Sequence, residues 1–155
     1  MKFTKKIVAV VAGVAMCAGL AACGGSRSGQ ATGGDAKIEK GATIGISMPT
    51  KSEERWNKDG NNLKAKLEKA GYKVILSFAD DKPAQQNADI ENMVNNDAKI
   101  VVVASKDGPA VGPAVEKARD AGAKVIAYDR LIMNTDAVDY YATGAGRRAR
   151  GHVAH

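Results

Sequence analysis

The chain has 155 residues, 45% of them hydrophobic and 26% charged, which is the make-up of one globular domain of ordinary size. Its formal charge of +6 gathers at the ends, with Lys2, Lys5 and Lys6 in the first six residues and Arg147, Arg148 and Arg150 in the last nine. Between Ala22 and Gly144, 17 basic residues are matched by 17 acidic ones, so the body has no basic footprint and nucleic-acid binding is excluded.

The N-terminus reads as an address. MKFTKK is a positively charged start, and Ile7 to Leu20 is a 14-residue apolar run, too short for a comfortable membrane span and suited to an export signal. It ends in Leu20-Ala21-Ala22-Cys23-Gly24, which resembles the lipobox of bacterial lipoproteins. The resemblance implies a signal peptide over 1–22, lipidation at Cys23, and a protein held at the outer face of the cytoplasmic membrane. Cys17 would be discarded with the signal, leaving Cys23 alone, so no internal disulfide and no cysteine metal cage is expected. Residues 24–42, GGSRSGQATGGDAKIEKGA, have little to bury and complete an expected flexible tether over 23–42.

From Thr43 the pattern becomes regular. Strand-like apolar runs occur at 43–49 (TIGISMP), 73–79 (KVILSFA), 99–104 (KIVVVA), 124–128 (KVIAY) and 138–143 (VDYYAT). Between the first four lie helical patterns. Trp56, Gly60, Leu63, Leu67 and Ala70 form one stripe that Gly71 ends. Pro83 opens a second helix with Ile90, Met93 and Val94 on its buried side, and Gly108-Pro109 opens a third, with Val111, Val115, Ala118 and Gly122 in line. The first four strands start 30, 26 and 25 residues apart, the length of a βαβ unit. The expectation is an α/β fold with a Rossmann-like, flavodoxin-like parallel sheet in order 2-1-3-4-5. Strand five follows strand four too closely for a crossover helix and is reached by a loop.

In such a sheet ligands bind beyond the carboxyl ends of the strands. Three loops meet there: Pro49 to Trp56 after strand one, Ser105 to Gly108 after strand three, and Asp129-Arg130 after strand four. Motifs for phosphate loops, dinucleotide binding, zinc proteolysis and serine hydrolysis are absent, and the histidines, His152 and His155, lie in the tail. Asp80-Asp81 reads as a solvated loop capping the helix at Pro83 rather than a metal pair. What remains suits a polyol: a carboxylate accepts from vicinal hydroxyls, a guanidinium donates to them, and an indole lies against a sugar face. Each residue has a plainer reading too. Trp56 fits the core stripe, Arg55 and Lys51 fit surface charge, and Asp129-Arg130 fits a salt-bridged loop.

Four segments, IGISMPTKSEERW, QNADIENMVNNDAKIVVVASKDG, AKVIAYDRLI and DYYAT, resemble the N-terminal part of the periplasmic sugar-binding proteins of ABC transporters, in the xylose- and multiple-sugar-binding branch. The resemblance runs from Thr43 to Thr143 and implies an incomplete first lobe of a type I periplasmic binding protein over 43–143. It implies an aldose ligand such as xylose, glucose or galactose, an ABC transporter permease as partner, and no enzyme activity or cofactor. It also implies that Arg55, Trp56, Asp129 and Arg130 touch the sugar, with Lys51 and Asp107 at matching loop positions. An enzyme using Asp107 or Asp129 and a remnant receptor are the competing readings; a sugar-responsive regulator would need a helix-turn-helix where this chain has its export signal.

Residues 144–155, GAGRRARGHVAH, contain three Gly, three Ala, three Arg and no acid, unlike anything before them. These residues have GC-rich codons, so the expected origin of this basic tail is translation out of the family's frame after Thr143; a functional basic tail is the alternative. The helix that would complete one sheet face, and the second wall of the cleft, would then be missing. The expectation is a marginal fragment that fails to bind sugar alone.

Overall fold

The computed structural model describes residues 38–143 and 148–149. The chain divides into two units, Met1–Asp35 and Ala36–His155, and every described residue belongs to the second. The signal, Cys23 and most of the expected tether and tail lie outside the described residues.

Strands β1 (Thr43–Met48), β2 (Lys73–Phe78), β3 (Ala98–Val103), β4 (Lys124–Tyr128) and β5 (Tyr140–Ala142) alternate with helices α1 (Glu54–Lys69), α2 (Pro83–Asn95) and α3 (Gly108–Asp120) as far as β4. The sheet order is β2-β1-β3-β4-β5, all parallel, as expected. A two-residue strand β6, Arg148–Ala149, adds antiparallel to β5, so two residues of the basic tail extend the sheet edge.

Right-handed crossovers split the helices between the faces. Helix α1 packs on β1 and β2, its Trp56 buried with Ile44, Ile46, Met48 and Val102 of the sheet. Helices α2 and α3 pack together on the other face over Val101, Val103, Val125 and Ala127. Two glycines set these distances. A Cβ on Gly45 would lie 2.6 Å from the sulfur of Met93 on α2, and one on Gly60 would lie 3.1 Å from Leu76 beneath α1. The α1 stripe fades along the helix. Trp56 and Gly60 are buried, Leu63 and Leu67 half-buried, and Ala70 exposed at the C-cap.

Three expectations need correction. The domain begins before Thr43: Gly41 N–H donates to Gly71 O at 2.7 Å, Lys73 N–H to Ala42 O at 3.0 Å, and Tyr72 Oη to Ile38 O at 3.4 Å. Residues 38–42 therefore belong to the sheet margin rather than to a tether, because backbone groups beside β2 find partners there. Strand β5 is shorter than 138–143, since Asp139 turns its carboxylate back onto Val125 N–H (2.9 Å) and Lys124 Nζ (2.8 Å). Asp80 and Asp81 do not cap α2. The N-cap is Lys82, with no side-chain capping bond, and both aspartates hold positive φ in the turn before it.

Candidate functional site

The carboxyl ends of β1, β3 and β4 open onto one edge, and the loops that follow them bring four of the expected residues together. Arg55, in the first turn of α1, forms an ion pair with Asp129 just past β4, and its Nε lies 3.8 Å from Asp59 one turn along the helix. The bonded Asp129 carboxylate raises the Arg55 pKa, so the guanidinium stays charged. Both guanidiniums lie over Trp56, Arg55 at 4.7 Å and Arg130 at 4.8 Å from the ring centre, as cation–π contacts.

Asp129 is held from three directions. Its N–H donates to Ala142 O (2.7 Å), its carbonyl accepts from Tyr141 Oη (3.0 Å), and Arg130 N–H closes onto Tyr128 O (2.7 Å). The last bond makes a three-residue turn centred on Asp129 at φ 62°, a left-handed conformation that aspartate tolerates better than most residues. That turn separates the two side chains of the Asp129-Arg130 pair: the acid meets Arg55, and the base donates from Nη1 to Ser105 O at 3.1 Å. The loop beyond is seated on α3, where Met133 N–H donates to Gly108 O and Leu131 O would lie 2.8 Å from a Cβ on Gly108. Only glycine admits that approach.

Trp56 satisfies both readings of the sequence in part. It is 1% exposed and belongs to the α1-face core, yet it is also the platform for the two guanidiniums. Its Nε1 and the buried Ser105 Oγ have no hydrogen-bond partner among the described residues, and both belong to residues that contact Arg130. Lys51 and Asp107 make other contacts. Lys51 Nζ lies 5.2 Å above the Phe78 ring, and Asp107 caps α3 by accepting from Ala110 N–H at 3.0 Å.

Several participants were not foreseen. Tyr128 Oη donates to Asp59 at 3.1 Å, tying the end of β4 to α1; burial first, then the Asp59 carboxylate, pushes the phenol up to about 12. Asp81 pairs with Lys106 at 2.7 Å, and this contact, with help from the Thr50 hydroxyl, holds its carboxyl below the usual range. Gln86 on α2 bonds to Ser47, Ala104 and Lys106. Only Asp59 had a legible signal, its i,i+4 spacing from Arg55.

Residues 44–146 match the periplasmic binding protein domain. The chain belongs to that family. It is 50% identical over 101 residues to the multiple sugar-binding periplasmic receptor ChvE of Rhizobium radiobacter, covering 65% of this chain and 28% of that protein. It is 34% identical over 102 residues to the D-xylose-binding periplasmic protein of Escherichia coli K12, covering 66% of this chain and 31% of that one. Among solved structures, an ABC transporter solute binding protein from Clostridium phytofermentans with bound β-D-glucose is similar at 48% identity and TM-score 0.64. The match covers 65% of this chain and 31% of that protein. The chain thus spans about a third of the length of its relatives. Among the described residues, no helix is long and apolar enough to cross a membrane.

Proposed function

We propose that the chain is the sugar-gripping first lobe of an exported substrate-binding lipoprotein, which captures an aldose and presents it to the permease of an ABC transporter. The observation that carries this reading is the cluster of Arg55, Asp129 and Arg130 around Trp56 at the carboxyl edge of the sheet. An acid and two guanidiniums there match the donors and acceptors of vicinal hydroxyls. Glucose and xylose in the names of similar proteins favour an aldose of that class. Delivery to a permease and anchoring through Cys23 complete the proposal, and membrane fractionation of a Cys23→Ala chain tests the anchor.

The enzyme reading is weaker. Asp129 is paired with Arg55, and Asp107 has an oxygen engaged at the α3 N-terminus, so both carboxylates already have structural partners. The test is a chimera that joins this chain through Thr143 to the remainder of the glucose-bound Clostridium phytofermentans relative. Calorimetry with D-glucose, D-xylose and D-galactose should show reversible saturable binding without turnover. Absence of binding to all three, with the chimera folded, would remove the sugar assignment.

A further inference from the structure

Gln86 lies in the second turn of α2 and is 1% exposed, an uncommon place for an amide unless every polar atom is used. Here they are. Its Nε2 donates to Ser47 Oγ on β1 at 3.1 Å and to Ala104 O at 3.0 Å, while its Oε1 accepts from Lys106 N–H at 2.8 Å. Two of these three bonds go to the main chain of one short segment, the first residues after β3. A backbone leaving a sheet loses its ladder partners, and buried polar groups there need others. Gln86 provides them from a neighbouring helix.

That segment carries the other half of the Arg130 contact. Ser105, also 1% exposed, lies between the two residues that Gln86 bonds, and its carbonyl accepts from Arg130 Nη1 at 3.1 Å. Arg130 in turn lies 4.8 Å from the Trp56 ring centre. The series therefore runs from Gln86 through the Ala104–Lys106 main chain to the Ser105 carbonyl, then to the guanidinium and the indole. Lys106 also pairs with Asp81, so the same turn sets where that ion pair stands at the edge.

We propose that Gln86 is a positioning residue for the candidate site, holding the Ala104–Lys106 turn where the Ser105 carbonyl fixes the Arg130 guanidinium over Trp56. This gives a residue outside the sugar-contact set control over the geometry of one of its members. Its importance for ligand capture rests on the carbohydrate reading above; its geometric content does not.

The chain has one tryptophan, so its emission reports on Trp56 alone. Gln86→Met keeps the volume and removes all three hydrogen bonds. Lys106 amide exchange should become about three- to tenfold faster and the Trp56 emission maximum should move, with far-UV dichroism retained. Ser47→Ala removes only the bond to β1 and should leave both readouts at wild type even if the melting temperature falls. Gln86→Glu keeps an acceptor for Lys106 N–H but sets a carboxylate oxygen against Ala104 O, so its Lys106 exchange should also rise above wild type. Wild-type readouts in Gln86→Met overturn the proposal, as does an equal change in Ser47→Ala. Should Gln86→Met unfold, Lys106 exchange in Gln86→Glu no faster than that in Ser47→Ala overturns the proposal too. All readouts are taken without sugar, so this result and the chimera titration fail independently.

Discussion

Asp129 combines a strained backbone with a paired side chain, and the two contributions can be separated. At φ 62° an alanine is itself strained, whereas Asp129→Gly removes the carboxylate and leaves the turn relaxed. In the sugar-binding chimera, Asp129→Gly should weaken aldose binding by roughly 2–5 kcal/mol, because Arg55 and the ligand hydroxyls lose their shared acceptor. Lys51→Ala should cost under about 1 kcal/mol, since that ammonium is exposed and lies over the Phe78 ring. Equal small losses in calorimetry would take Asp129 out of the site. Tyr128 adds a pH signature. The folded state favours the neutral phenol, so its contribution is complete below the ordinary value of 10.0 and is lost as the pH rises to about 12. Tyr128→Phe should lower stability by about 0.5–1.5 kcal/mol at neutral pH through the lost bond to Asp59. The gap between the two proteins should narrow across that alkaline window in urea melts; a gap that widens there contradicts the assignment.

At the scale of elements, helix–sheet distance is set by glycines of unequal importance. A methyl at Gly45 meets Met93 along its whole stem, at 2.6 Å from the sulfur, 2.8 Å from Cγ and 2.9 Å from Cβ. The Cβ is fixed to α2, so the helix itself must retreat. Gly45→Ala should destabilise by about 1–3 kcal/mol. A methyl at Gly60 meets Leu76 Cδ1, Met48 Cγ and Phe78 Cζ at 3.1–3.3 Å, a milder crowding that no backbone-fixed Cβ enforces, while alanine favours the helix by about 1 kcal/mol. Gly60→Ala should therefore be close to neutral. Thermal melts that rank the two the other way would refute this account of the packing.

Across the whole molecule the two sheet faces are unequally covered. Helices α2 and α3 close one face, whereas on the other, among the described residues, α1 packs mainly on β1 and β2. Ile100, Ile126 and Tyr128 remain half-buried there, and Tyr140, in register with Ile126, is 50% exposed. A contiguous apolar strip of this kind favours self-association and dye binding. The 155-residue chain should bind anilinonaphthalene sulfonate and elute larger than a monomer at micromolar concentration. Tyr140→Glu should reduce both without lowering the melting temperature by more than a degree or two. Dye binding unchanged by the substitution would place the exposed surface elsewhere.

Period and punctuation in the sequence determined the α/β class, the five parallel strands, three helices and their order, because alternation of apolar runs with helical stripes records which faces must leave water. The same logic brought Arg55, Trp56, Asp129 and Arg130 to one edge, since parallel connectivity sends every β-to-α loop there. What only the tertiary structure decided is how those residues are used. Trp56 is both core and platform, Asp129 points to Arg55 rather than to its neighbour, Asp107 caps a helix, and Asp81 bonds Lys106. The partners of Gln86 and Tyr128 carried no periodic signal, for a physical reason. Burial of an apolar residue is repaid by any apolar neighbour and so leaves a pattern along the chain. Burial of an amide or a phenol is repaid only by one oriented partner, here from segments up to 69 residues away, and that choice is made by the packed fold.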